Sequence, residues 1–144
     1  VVVQDAVHEG TEAQRRGAAD HFDPLRRRVL ELVWAGHGAA KAGELLDRLA
    51  EDARPARPPT VYRALDFLIA HGLVHRVDSL NAFVGCAQAA HRHDAQLFIC
   101  QSCGTVQEIA EPFIANAVSR GARRLGFEVQ RQTIEMHGRC GACR

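Results

Sequence analysis

The sequence is short of several things. No apolar run among its 144 residues approaches the roughly 18–20 that a membrane helix needs, so no membrane partner is expected. Residues 1–20 carry no apolar block behind a basic stretch, so no signal peptide is expected and the chain is assigned to the cytoplasm. An excess of one charge is missing too. Lys plus Arg is 18 against 17 Asp plus Glu, a net +1, which argues against coating nucleic acid or acidic membrane by bulk charge. A local basic patch is still allowed. One Trp and one Tyr leave few stacking platforms for single-stranded nucleic acid. What is present is an ordinary globular mixture, 47% hydrophobic and 24% charged, which argues against wholesale disorder. The length suits one ordinary domain or two small ones. The odd count is 5 cysteines. In a reducing compartment these read first as metal ligands or reactive thiols, before disulfides.

There is no internal repeat. Val1 to Ala19 reads as a weakly patterned polar helix. Asp23 and Pro24 form an N-cap and a proline at the first helical position, followed by a stripe of Leu25, Val29, Leu32 and Val33. Gly36-His37-Gly38 ends that helix. A second helix is expected over Ala40 to Asp52, with Leu45, Leu46 and Leu49 inward. Three prolines interrupt Arg54 to Pro59. A third helix starts at Pro59 or Thr60 and runs to Ala70, with Val61, Leu65, Leu68 and Ile69 as its stripe. The period then changes from 3.6 to 2: Leu73 to Val77 and Ala82 to Cys86 read as strands around a turn at Asp78 to Asn81. Three helices and a hairpin are the order of a winged-helix DNA-binding domain. Ala87 to Asp94 is polar and reads as a hinge. Beyond it, Ala95 to Cys100 and Thr105 to Ala110 read as strands, Glu111-Pro112 opens a helix to about Leu125, and Phe127 to His137 is a final strand.

Cys100-x-x-Cys103 and Cys140-x-x-Cys143 are two chelating pairs with 36 residues between them. Each such turn aims two thiolates at one ion, and two turns complete a closed tetrahedral zinc site. Its role is folding energy, stapling the C-terminal end to the preceding hairpin. A thioredoxin-like motif would want one pair at a helix start after a strand, and neither pair is placed so.

Cys86 is left over. If the wing turns over Asp78 to Asn81, residue 77 faces 82 and 75 faces 84. His75 and Cys86 then lie diagonally on one face, about 7–8 Å apart at the backbone, within reach of a common ion. Folding the next hairpin over Cys100 to Cys103 puts Glu108 roughly opposite Ala95 and near His93. His75, Cys86, His93 and Glu108 can thus offer nitrogen, sulfur and oxygen to a second zinc. His91 competes with His93, and a free buried cysteine among hydrogen-bonded histidines is the competing reading of the whole set. An ion bound there would fix the angle between two domains.

Arg54, Arg57 and Arg63 give residues 54–65 a local charge of +3, whereas residues 1–86 sum to −1. The basic feature belongs to the third helix and its lead-in, the element a winged helix inserts into the major groove. Its outward face begins with Thr60, Tyr62 and Arg63. Arginine reads guanine bidentately; Thr and Tyr contact thymine methyls or phosphates. Three arginines on a solvated loop are the plainer alternative.

The run Pro58-Pro59-Thr60-Val61-Tyr62-Arg63-Ala64-Leu65-Asp66-Phe67-Leu68 resembles the recognition helix of the ferric uptake regulator superfamily, in the wording of its zinc-sensing branch. Gly72-Leu73-Val74-His75-Arg76-Val77, Leu97-Phe98-Ile99-Cys100-x-x-Cys103-Gly104 and Glu135-x-His137-Gly138-x-Cys140-x-x-Cys143 resemble it as well, so the likeness covers about residues 20 to 144. The resemblance implies an α+β chain with a winged-helix DNA-binding domain over 1–86, a hinge over 87–94 and a small α/β dimerisation domain over 95–144. It implies a structural zinc on Cys100, Cys103, Cys140 and Cys143. A regulatory zinc falls on His75, Cys86, His93 and Glu108, with His93 preferred to His91 because it stands seven before Cys100. DNA contacts fall on Arg57, Thr60, Tyr62 and Arg63. The late-strand histidine that builds a third metal site in some relatives falls near Gln132 here.

The expected function is a homodimeric repressor of zinc uptake and homeostasis genes. Two zinc ions per chain and a double-stranded operator with dyad symmetry are expected, with zinc as corepressor. An iron or peroxide sensor of the same superfamily is the nearest alternative. A zinc enzyme using Glu108 as base is a more distant one, and no paired acid–base set or nucleophile motif supports it.

Overall fold

The computed structural model describes residues 23–87 and 94–144. The helix read in Val1 to Ala19, most of the 87–94 stretch, and both His91 and His93 lie outside the described residues.

The carboxylate of Asp23 accepts the N–H of Arg26 at 2.9 Å, and Pro24 sits where a missing N–H costs nothing. From that cap α1 spans Pro24–Ala35, followed by α2 (Ala42–Glu51) and α3 (Pro58–Ala70). Helix α2 starts two residues later than its sequence suggests. Ala40 is taken by Phe83, whose backbone it meets with two 2.8 Å hydrogen bonds. The hairpin strands are β1 (Val74–Val77) and β2 (Ala82–Gly85), with Val77 opposite Ala82 and His75 opposite Val84, the register expected. A turn of 3₁₀ helix, Asp78–Leu80, joins them, and Asn81 closes it in the left-handed region at φ 47°. The apolar stripes converge. Val29, Leu32 and Val33 of α1 meet Leu45 and Leu49 of α2, Val61, Leu65 and Leu68 of α3, and Val74 and Phe83 of the hairpin in one buried cluster. Leu25, Leu46 and Ile69 pack half-buried at its margin.

A second sheet has the order β4-β3-β5, with β3 at Ala95–Cys100, β4 at Val106–Ile109 and β5 at Thr133–Gly138. Strand β4 returns antiparallel beside β3. β5 lies parallel on the other side, reached through helix α4 (Pro112–Leu125), as parallel neighbours require. Glu111 caps α4 by accepting the N–H of Phe113, and Gly126 ends it at φ +63°.

Two expectations need correction here. Glu108 stands opposite Leu97, not Ala95. The turn over Cys100–Thr105 is closed by the N–H of Gly104 on the Cys100 carbonyl at 2.9 Å, which sets the register two residues further on. A shift of two keeps the face, so Glu108 still points where it was expected to point. The final strand begins at Thr133, not Phe127. Its partner β3 begins at Ala95, opposite Thr133, so the ladder offers residues 127–132 nothing to pair with.

The second apolar cluster is shared. Val77 of the hairpin is fully buried against Ala95, Leu97 and Ile99 of the sheet, with Ala39, Val84 and Val106 packed around them. Full burial of one Val or Leu side chain contributes roughly 1.5–3 kcal/mol, so this seam is a substantial contact. Helix α4 by contrast buries none of its residues within one chain, and Phe113 and Leu125 are 83% and 81% exposed.

Candidate metal centres and nucleic-acid interface

The hairpin turn after β3 and the turn after β5 bring Cys100, Cys103, Cys140 and Cys143 together, their sulfurs all within 4.8 Å of one another. Gly104, at φ +77°, supplies the left-handed step that finishes the first turn. Cys103 and Cys140 approach to 3.8 Å, far beyond the roughly 2.05 Å of a disulfide. The N–H groups of Cys103 and Cys140 point at the Cys100 sulfur from 3.5 and 3.4 Å and pull its thiol down to about 6. The crowd of neighbouring thiols, Cys140 and Cys103 foremost, pushes Cys143 up to about 12. Four sulfurs at mutual contact, one of them already favoured as thiolate, suit a soft divalent ion that would displace the remaining protons.

The second constellation spans the two sheets. His75 on β1, Cys86 just after β2 and Glu108 on β4 place their ligand atoms within 4.8 Å of one another. His75 Nε2 lies 2.9 Å from Glu108 Oε1, the Cys86 sulfur 3.9 Å from the same oxygen, and the Ala87 N–H donates to Glu108 Oε2 at 3.0 Å. Cys86 and Glu108 are buried and His75 nearly so. One nitrogen, one sulfur and one oxygen converging at depth make a donor set that fits zinc. His93, expected as the fourth ligand, lies outside the described residues.

On α3 the apolar stripe faces the core and leaves Arg57, Thr60, Tyr62 and Arg63 exposed at the N-terminal end, on the outward face. Arg57 and Arg63 make no ion pair with another described residue, so their charge is available. Pro58 and Pro59 rigidify the entry to this helix.

Two contacts between the hairpin unit and the sheet went unread in the sequence. Glu135 of β5 reaches across to the wing turn, its two carboxylate oxygens each 3.3 Å from the Ser79 N–H. Burial alone would raise its pKa, but the Ser79 hydroxyl and N–H, the Asp78 N–H and nearby His137 outweigh that and hold it below the ordinary carboxylate range. Gly38 pairs with Thr105 in an isolated bridge, so close that a Cβ on Gly38 would stand 2.3 Å from the Gly104 carbonyl oxygen. Neither contact has a periodic or spacing signal; the resemblance does quote Glu135, but without a role.

A three-helix and wing unit with an arginine-bearing outward helix, seated on a sheet, with one cluster of metal-ligand side chains at the end of that sheet and another shared between wing and sheet, defines a metal-binding transcription regulator. The ferric uptake regulator family pattern matches residues 23–137, and the chain belongs to that family. It is 42% identical over 121 residues to the zinc uptake regulation protein of Escherichia coli (strain K12), across 83% of this chain and 71% of that protein. Among solved structures it superposes on a zinc uptake regulator complexed with zinc and DNA with a TM-score of 0.82 and 36% identity, covering 99% and 95% of the two chains. Holo XcZur gives a TM-score of 0.77 at 40% identity, over 83% of this chain and 84% of that one.

Proposed function

We propose that the chain is a zinc-responsive, DNA-binding transcriptional repressor of zinc uptake and homeostasis genes, acting in the cytoplasm as a homodimer. The observation that carries this reading is the cluster of His75, Cys86 and Glu108, drawn from both sides of the seam between wing and sheet. Family membership and the zinc- and DNA-bound relative support it.

Two zinc ions per chain are assigned. Cys100, Cys103, Cys140 and Cys143 hold the structural one. His75, Cys86, His93 and Glu108 hold the regulatory one, which supplies a single point bonded at once to the wing and to the sheet. The thiol of Cys86 favours zinc over iron, because soft thiolate ligands select against the harder ion. Residues 1–86 form the DNA-binding domain, 87–94 the hinge and 95–144 the dimerisation domain. Phe113 and Leu125 of α4, with Phe127 after it, offer the apolar face on which two chains associate. Each chain then presents Arg57, Thr60, Tyr62 and Arg63 to one major groove. A pair of grooves roughly 34–36 Å apart on a dyad-symmetric operator fits such a dimer. Linkage makes the coupling reciprocal: whatever factor zinc adds to DNA affinity, DNA adds to zinc affinity.

The deciding experiment titrates zinc, ferrous and manganous ions into the protein at fixed salt, with a duplex selected from a random-sequence pool as probe. Binding driven by zinc at the lowest metal concentration, with two zinc ions per chain by elemental analysis, is expected. At most one zinc per chain in excess zinc removes the sensor model, and binding driven first by ferrous ion assigns the chain to iron.

A further inference from the structure

We propose that Glu135 is a positioning residue that docks the wing on the C-terminal sheet and thereby lowers the zinc concentration at which DNA binding begins. This deepens the repressor reading and rests on it.

The regulatory ligands come from two bodies, so their affinity depends on how often those bodies are already together. A site complete in only a fraction of the molecules binds its ion more weakly by that fraction. Three contacts favour the closed arrangement without using a ligand of the regulatory cluster. The first is the apolar seam of Val77 and Val84 against Leu97 and Ile99. The second is the backbone bridge from Gly38 to Thr105. The third is Glu135, whose carboxylate lies at the start of the Asp78–Leu80 turn, where N–H groups have no partner within the turn.

Of the three, Glu135 is a single polar side chain that can be altered without touching the apolar seam or the backbone bridge. Its side chain is only 13% exposed, on β5 beside Leu97, and it joins residues 56 positions apart. Among the described residues it is not one of the ligands of either cluster. His137 Nε2, two residues on along the same strand, lies 3.6 Å from the carboxylate.

The test compares full-length wild type with Glu135→Ala and Glu135→Gln. Zinc is titrated against a duplex that zinc-loaded wild type selects from a random pool, alongside amide hydrogen exchange of residues 77–82. The Ala variant should need about tenfold more zinc at the midpoint, the scale of losing hydrogen bonds to one charged group. At saturating zinc its DNA affinity should match wild type, and its wing amides should exchange faster without zinc. The Gln variant, which keeps one acceptor oxygen, should fall between. An unchanged midpoint in both variants overturns the proposal. If the Ala variant does not fold, the Gln variant decides by the same criterion. If wild type selects no duplex or ignores zinc, the repressor reading fails on its own; faster wing exchange in the variants then still supports the dock, and equal exchange overturns it.

Discussion

The two ligand clusters differ in where their parts come from. The four-cysteine cluster is built from two tight turns at one end of a single sheet, and Cys103 is exposed. The His75, Cys86 and Glu108 cluster is buried and straddles a seam between wing and sheet. Ions held by one rigid body stabilise that body. An ion held by two reports whether they are together, which is why the sensing role is proposed for the second cluster.

That contrast can be broken by substitution. Cys140→Ser should have the largest effect. It should lose the structural zinc and with it the end of β5, lowering the melting temperature by more than about 10 °C, read by calorimetry. Cys86→Ser should leave melting and dimerisation nearly intact while zinc content falls from two ions to one. Zinc-driven DNA binding should then drop by about 5- to 150-fold in an anisotropy titration, the usual size of such a coupling. Unfolding of this variant would make Cys86 structural and erase the distinction. Arg63→Ala, outside both clusters, should weaken the selected duplex by about 1–3 kcal/mol if it reads a base, and weaken random DNA equally if it meets phosphate. The smallest effect belongs to a control far from either metal. Arg28 donates to Asp52 at 3.1 Å and holds that carboxyl below its usual range. This stabilisation is complete at neutral pH and is lost as pH falls through the lowered value. Asp52→Asn should therefore shift melting slightly at pH 7 and not at all in strong acid.

The same contrast governs what could be read from sequence. A cluster made of two Cys-x-x-Cys turns announces itself, because each turn is a local device and the sequence spacing is the geometry. Helix α1 is legible from its cap and stripe, α2 and α3 from their stripes, and α4 from its opening Glu111-Pro112 and closing Gly126, while the wing register follows from its turn. Glu108 was assigned to the correct face at a position two residues off, since period-two pleating forgives that slip. The start of β5 was not legible, because Phe127 and Val129 look like strand residues and only the length of β3 denies them a partner. The shared apolar seam was missed altogether. Val77 and Leu97 each fit an ordinary strand pattern, and nothing in either segment says that they bury against each other instead of within their own units.

That seam carries a thermal consequence. Parting the wing from the sheet would bring Val77, Leu97 and Ile99 into water, so closure has a negative heat-capacity change and its apolar share fades on cooling. The metal would then have to contribute more of the closure in the cold, and the threshold of repression becomes a property of temperature as well as of zinc.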